Sequence, residues 1–279
     1  IKKSKNDDIY TQLSDIEREL ETYNNHLKGK IVYCNCDDPN LSNFFNYFFT
    51  NFHRLGLKKL VASCYQEQDL FGKLGNKVGF FVSYSGENKS KEDVIRDSIT
   101  YFKGDGDFRS QESINLLGKC DIVVTNPPFS LFRSYVNQII QNGKEFLIIG
   151  NINAITYKEI FKIIKENKAW LGINLGRGIS GFIVPDHYDL YGTEARIDNQ
   201  GNRIISPNNC LWLTNLDHDH RHKNINLTKR YFGNEKLYPM YDNYNAINVN
   251  KTSDIPFDFD GVMGVPITFL HKFNPDNLN

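Results

Sequence analysis

A chain of 279 residues can bury a large core, as one domain or as a domain with a sizeable insertion, and 40% hydrophobic with 24% charged residues is ordinary for a globular protein. Its 33 basic and 33 acidic residues cancel, which excludes a uniformly basic chain, so a nucleic-acid partner would have to meet a local patch. No apolar run reaches bilayer length, the basic start "IKKSKNDDIY" has no apolar signal segment behind it, and five scattered cysteines suit a reducing compartment.

In chain order, Ile16, Leu20, Tyr23 and Leu27 recur at helical spacing over 14–27, and Gly29 closes that segment. A strand is expected at 30–35, then a helix at 42–56 with Ser42 as N-cap and Gly56 as stop. Strands follow at 59–64 and 77–84, the second in a hairpin because Gly75-Asn76 precedes it. A helix is expected at 110–119, a strand at 121–125, a helix at 130–143 and a strand at 145–151. Thr156 and Glu159 have the spacing of a capping box before "IFKIIKENK". Beyond about residue 170 the pattern weakens into a glycine-rich segment, a hairpin-like stretch over 191–216 and a polar, basic run. The opening at Ile1, without a methionine, is expected of a trimmed chain or a fragment.

Short apolar strands alternating with amphipathic helices imply an α/β fold, a mostly parallel sheet with helices on both faces. Ligands of such sheets bind outside the carboxyl ends of the strands. Three loops lie at such ends: Asn35 to Pro39, Tyr65 to Glu67, and Asn126 to Phe129. They are expected to converge on one crevice.

The third loop, in "DIVVTNPPFSLF" (121–132), carries the chemistry. Asn-Pro alone is a common strand terminator. Here the two prolines hold Asn126 and Pro127 extended, so that the Asn126 side-chain oxygen and the Pro127 carbonyl become rigid acceptors at the crevice mouth. Two acceptors suit an exocyclic amino group, and Phe129 can stack on the ring that carries it. Acceptors on the amine protons free its lone pair and stabilise the charge that develops as a methyl group arrives. Asn126, Pro127, Pro128 and Phe129 are therefore the expected catalytic residues.

This loop is similar to motif IV of adenine-N6 DNA methyltransferases that use S-adenosylmethionine. The chain as a whole resembles the EcoRI-type modification methyltransferases. The resemblance runs through "YTQ" (10–12), "VYCNCDDP" (32–39), "GDGDFRS" (104–110), "FLIIGN" (146–151), "NLGRGISGFIVP" (174–185), "YGTEARID" (191–198), "ISPNNCLWLTNLDH" (205–218), "YDNY" (241–244) and "GVPITFLHKFNP" (264–275). It implies a Rossmann-like methyltransferase core over residues 1–175. Residues 176–279 are expected to hold the end of the sheet and a DNA target-recognition region. The resemblance further implies a cytoplasmic, monomeric enzyme of a restriction–modification system. That enzyme would methylate an adenine flipped out of double-stranded DNA and so protect the site from a cognate nuclease.

The cofactor residues that the resemblance implies begin with Tyr10 and Thr11, near the methionine end of S-adenosylmethionine; a helix lead-in is the plain alternative. Where relatives usually carry a glycine-rich loop, this chain has Cys34-Asn-Cys-Asp-Asp-Pro with no glycine. Asn35, Asp37 and Asp38 are the candidates there, the two acids for the cofactor's ammonium or else as caps of the next helix. Glu67 is nearest to the position of a ribose-binding carboxylate. Asp107 and Phe108 fall where relatives contact the adenine ring, although a Gly-Asp-Gly turn would look the same.

For DNA, Arg177, Arg196 and Arg203 are candidates to read guanine or phosphate, and Phe182 to support the flipped base. The stretch 221–234 has four basic residues, Arg221, Lys223, Lys229 and Arg230, and no acid, beside a Tyr-Phe pair. That suits phosphate contact, or a solvated loop. No metal is expected: Cys34-Asn-Cys36 has no second pair, and His218, His220 and His222 have no ligand cluster of known spacing. Two other function classes stay open. One is an amino-group methyltransferase for RNA or protein glutamine, and the other is a silent nucleic-acid-binding module.

Overall fold

The computed structural model describes residues 9–66 and 78–277, with the side chain of Arg177 outside the described part. The chain divides into two compact units, Ile1–Leu216 and Asp217–Asn279. The first opens with β1 (Tyr10–Thr11), α1 (Leu13–Leu20), a 3-10 turn and α2 (Asn24–Leu27). Then come β2 (Ile31–Asn35), α3 (Asn43–Thr50), α4 (Phe52–Leu55) and β3 (Lys59–Cys64). Ser42 caps α3 by accepting from the backbone N–H groups of Phe44 and Phe45, and Gly56 ends α4 in a left-handed conformation (φ 63°). The helix expected over 42–56 is thus two, because Asn51 leaves helical geometry between them.

Next are β4 (Phe80–Tyr84), α5 (Lys91–Ser98), β5 (Thr100–Tyr101), α6 (Gln111–Gly118), β6 (Ile122–Thr125), α7 (Phe132–Gln141) and β7 (Glu145–Asn151). β4 runs antiparallel to β3, as a hairpin requires, and the expected turn at Gly75-Asn76 lies outside the described residues. Helix α5 gave no periodic signal because its sequence, KEDVIRDS, buries only Val94. The unit closes with α8 (Lys158–Lys165), β8 (Trp170–Leu175), β9 (Phe182–Val184), β10 (Arg196–Ile197), β11 (Arg203–Ile205) and β12 (Cys210–Thr214). The capping box does not form. The hydroxyl of Thr156 donates to the Asn153 carbonyl inside a 3-10 turn, and Tyr157 takes the N-cap position of α8 without a side-chain bond.

The central sheet has eight strands in the order β5-β4-β3-β2-β6-β7-β12-β8. Strands β3, β2, β6 and β7 are mutually parallel, and β4 and β12 run against them. Sequence order reverses between β2 and β6, which makes the carboxyl ends of these two strands the switch point where α/β sheets bind ligands.

Val32, Cys34, Leu60, Ala62, Ile122, Val124, Leu147 and Ile149 form one sheet face, packed against Ile16, Leu20, Phe44, Phe48 and Phe52 of the helices. The alternate residues Tyr33, Val61, Val123, Phe146 and Ile148 are buried as well. The other face is covered in part by α7, whose Phe132 ring lies so close to Gly150 that a Cβ there would sit 2.5 Å from it. Burial on both faces explains the near-continuous apolar strands of the sequence.

A second, antiparallel sheet joins β1, β9, β11 and β10 in that order. The expected hairpin is real over β10 and β11, but β12 leaves it for the central sheet between β7 and β8. A division at residue 175 therefore cuts through the first compact unit, which ends at Leu216 because β12 is central to it. In the second unit, β13 (Met240–Tyr241), β14 (Tyr244–Asn248) and β15 (Met263–Gly264) make a small sheet over Tyr238, Ile247, Val249 and Ile255. Among the described residues no helix is long and apolar enough to cross a membrane.

Candidate active site

The loops that follow β2 and β6 are tied together at the switch point. Thr125, the last residue of β6, contacts both the Asn35 carbonyl and the Asp37 carboxyl through its hydroxyl. The other Asp37 oxygen accepts from the Ser42 hydroxyl at 2.7 Å. Asp37 is 7% exposed, and burial pushes its pKa up to about 7 despite these bonds. Neither acid caps α3. Ser42 does, Asp37 holds Ser42, and Asp38 closes a local turn by accepting from the Asn40 backbone and side chain. The glycine-free loop still makes a left-handed turn, carried by Cys36 at φ 73°.

The Asn126–Phe129 loop is held from the N-terminal strand. Asn126 donates its Nδ2 to the Ile9 carbonyl at 3.0 Å, which fixes the amide orientation. Its Oδ1 is buried and has no hydrogen-bond partner among the described residues. Beside Ile9 in sequence, β1 pairs with β9, Tyr10 opposite Ile183 and Thr11 opposite Phe182. The Thr11 carbonyl accepts from Asn43 at 2.8 Å, while its hydroxyl oxygen is a second buried atom without a partner among the described residues. Phe129 packs against the core with its ring edge-on to Phe182, centroids 6.3 Å apart and planes at 85°.

The "GDGDF" loop lies against the carboxyl end of β3 and the amino end of β4, which meet because the two strands are antiparallel. A Cβ on Gly106 would stand 2.9 Å from the Cys64 carbonyl, and one on Gly79 only 2.4 Å from the Asp105 carbonyl, so both close approaches need glycine. The Asp107 carboxylate is gripped by Arg109 through Nε at 2.9 Å, Nη2 at 2.5 Å and the backbone N–H at 2.8 Å, which holds its pKa below the usual carboxylate value. Phe108 is 4% exposed, edge-on to Tyr135, with the Arg109 guanidinium 5.5 Å from its ring centroid. Its ring is covered rather than open. Glu67 lies outside the described residues.

A cleft of about 560 Å³, counted with its open mouth, adjoins the Asn126–Phe129 loop. Ile9, Pro127 and Phe129 line it together with Asn151, Tyr191, Pro207 and Asn209. The last four escaped the sequence reading. Asn151 left a signal, since it ends β7 as Asn126 follows β6, at the same edge of a neighbouring strand.

The DNA candidates are dispersed. Phe182 is fully buried behind Phe129, so any support it gives to a base passes through that ring. Arg196 is exposed and bonded to the Glu194 carbonyl and Gln12, and Arg203 donates to the Tyr188 carbonyl. Arg177 sits in the turn Gly176–Gly178. Arg221 does not offer an open cation: its side chain is 9% exposed and pairs with Asp217 at 3.2 Å. Lys223, Lys229 and Arg230 are exposed, with Arg230 over the Phe257 ring. His222 is bound by Asp276 and Asp217, whose carboxylates raise its pKa.

An α/β sheet with an Asn-Pro-Pro-Phe loop at its switch point is the arrangement expected of an enzyme that methylates an exocyclic amine. The sequence matches the family described as "Adenine-specific methyltransferase EcoRI" over residues 1–279. It is 66% identical to the Type II methyltransferase M.EcoRI of Escherichia coli over 279 residues, 99% of this chain and 86% of that protein. It is 40% identical to the Type II methyltransferase M.MgeORF184P of Mycoplasma genitalium, over 98% of this chain and 82% of that one. To M.MpnI of Mycoplasma pneumoniae it is also 40% identical, over 98% and 81%. No solved structure matches. The chain belongs to the EcoRI family of adenine-specific methyltransferases, the Type II enzymes of restriction–modification systems.

Proposed function

We propose that this methyltransferase transfers a methyl group from S-adenosylmethionine to the N6 amine of an adenine that has left the stack of a DNA duplex and entered the cleft beside Phe129. The observation that carries the reading is the Asn126 carboxamide: its nitrogen is spent on Ile9, and its oxygen is buried without a partner. A buried acceptor left unpaired costs free energy, so a site that keeps one is built to receive a donor. An adenine amine supplies two.

The residues present fit the cofactor. The partnerless Thr11 hydroxyl, the Asp37 carboxyl and the Asn35 loop would hold its methionine end, and Asp107 and Phe108 its adenine. The order of the parallel strands at the switch point supports a Rossmann-like site. When bound, S-adenosylmethionine supplies a methyl group on a positively charged sulfur. Asn126 Oδ1 and the Pro127 carbonyl accept the two amine protons, draw the lone pair out of conjugation, and stabilise the positive charge that grows on nitrogen. Phe129 stacks on the base and is braced edge-on by Phe182. No general base of tuned pKa is needed, because the methylated ammonium-like nitrogen is strongly acidic.

Lys223, Lys229 and Arg230 are proposed to meet phosphates, and Arg177, Arg196 and Arg203 to take part in target recognition beyond residue 176. The enzyme is read as a cytoplasmic monomer that shields its site from a cognate nuclease. The test is methyl transfer from isotopically labelled S-adenosylmethionine to plasmid DNA, ribosomal RNA and protein in parallel. Label is expected in N6-methyladenine of the DNA alone, and label in RNA or in protein glutamine would sink the reading.

A further inference from the structure

The cleft beside Phe129 holds a second carboxamide whose orientation is fixed in the opposite sense. Asn151 Oδ1 accepts from the Asn153 backbone N–H at 2.9 Å as the N-cap of the 3-10 turn Ile152–Thr156. A backbone N–H can be met only by the amide oxygen, so the two protons of Nδ2 are what Asn151 has left for the cleft. Asn126 is fixed the other way, with its nitrogen on Ile9 and its oxygen unpaired. The two residues stand at the carboxyl ends of neighbouring parallel strands, with Thr125 in register with Ile148. A fixed donor that lines the cleft, on Asn151, thus stands one strand away from a fixed acceptor buried next to the cleft residue Pro127, on Asn126.

The wall that faces this edge is firmly built. Gly192 approaches Ser206 so closely that a Cβ would fall 1.9 Å from its carbonyl, and the Ser206 N–H donates to the Tyr191 carbonyl at 3.0 Å. The Ile152 N–H donates to the Asn209 carbonyl at 2.6 Å and ties this wall to the end of β7. Asn209 lines the cleft too.

An acceptor beside a donor matches an amine flanked by a ring nitrogen. Adenine has that pattern on its Watson–Crick edge, where the 6-amino group donates and N1 accepts. A 6-oxopurine reverses both, with an oxygen that accepts and an N1–H that donates. Enzymes that extrude a base read it on this edge. We propose that Asn151 is a specificity-determining residue that donates from Nδ2 to N1 of the target adenine, so that the cleft takes a 6-aminopurine and rejects a 6-oxopurine. This rests on the reading of the cleft as the target-base pocket.

The test pairs Asn151→Asp with 1-deazaadenine at the target position of a duplex that the protein methylates. Aspartate keeps an oxygen for the Asn153 N–H, so the cap and the melting temperature should survive, while both donors are lost. At pH 8, where an ordinary carboxylate is ionised, the variant should methylate adenine about 10- to 100-fold more slowly, the range of one buried polar group left unpaired. The wild type should methylate 1-deazaadenine more slowly than adenine, and Asn151→Asp should erase or invert that preference. An equal penalty for 1-deazaadenine in both proteins would overturn the role of Asn151 alone, as would coupling seen only with 7-deazaadenine. A wild type indifferent to the analogue would overturn the reading of the cleft as well.

Discussion

The Nδ2 of Asn126 donates to the carbonyl of Ile9, 117 residues earlier in the chain, at 3.0 Å. This one bond settles which end of the carboxamide faces the methyl acceptor. It also links the Asn126–Phe129 loop to the strand that carries Tyr10 and Thr11, so that the proposed cofactor and base sides of the site share a support. Asn126→Ala removes the acceptor together with the Nδ2 bond to Ile9, and leaves the side chains of Thr11 and Asp37 in place. Methyl transfer in single turnover should fall about 10²–10³-fold, by analogy with the loss of one oxyanion-hole donor. Calorimetric affinity for S-adenosylmethionine should change little, far less than the rate. A normal single-turnover rate would remove Asn126 from the mechanism.

The bonds around Thr125 suggest that Asp37 carries a proton in the free enzyme. Thr125 has one hydroxyl proton and two oxygen neighbours, the Asn35 carbonyl and the Asp37 carboxyl. A protonated Asp37 satisfies both contacts, by donating to Thr125 while Thr125 donates to Asn35. The ionisable groups that feel Asp37 are Asp38, Cys34, Cys36, Cys64 and Tyr135, none of them cationic. Its pKa, pushed up to about 7 by burial, lies above the ordinary aspartate value of 3.8, so the native state holds the extra proton between those values. Stability of the free enzyme should therefore fall as pH rises from about 4 to about 7, and then level off. If Asp37 takes the cofactor's ammonium, affinity should rise over the upper part of that window. It should fall again near pH ~8, where an α-amino group loses its proton. Calorimetry in buffers of different ionisation enthalpy should show proton release near pH 6 that disappears in Asp37→Asn. Equal proton release in both proteins would place the proton elsewhere.

The proposed adenine pocket of the cofactor is guarded by its own neighbour. Arg109 grips Asp107 and covers Phe108, so an adenine that stacks on Phe108 must first displace the guanidinium. Phe108→Ala and Asp107→Ala should weaken S-adenosylmethionine binding more than DNA binding, the first by about 1–3 kcal/mol as for loss of a base-stacking ring. Arg109→Ala should not weaken it. A loss in Arg109→Ala equal to that in Asp107→Ala would instead make Arg109 the residue that positions the carboxylate.

What the sequence made legible followed from local rules. Strands β2, β3, β6 and β7 were evident because burial on both faces leaves unbroken apolar runs, and Ser42 and Gly56 marked helix ends by capping chemistry. The catalytic loop was legible because two prolines constrain it. What depended on tertiary closure was hidden. Cys36 turns left-handed where a glycine was sought, and no local rule announces such a cysteine. β12 reads as the end of a hairpin and becomes an inner strand, because its partner β8 lies far upstream in sequence. Arg221 reads as a phosphate contact until Asp217, four residues away, is seen to hold it. Tyr191, Pro207 and Asn209 join the cleft through a close approach at Gly192 that only the folded chain displays.

The last prediction concerns how the target adenine reaches Phe129. The amine lone pair points perpendicular to the ring, into the neighbouring bases, so a methyl donor in the crevice cannot approach it while the base is stacked. The adenine must rotate out of the duplex, at a cost of a few kcal/mol that is smaller for a mispaired base. Phe129, half-buried against Phe182, presents a fixed ring to receive it. Placed at the target position, 2-aminopurine should brighten strongly on binding, because unstacking relieves its quenching. Phe129→Ala should keep or enlarge that rise, since the ring itself quenches, while slowing methylation of adenine. Mispairing the target base should tighten binding in both proteins. A fluorophore that stays dark in both, with no gain from mispairing, would mean that the base does not enter this cleft.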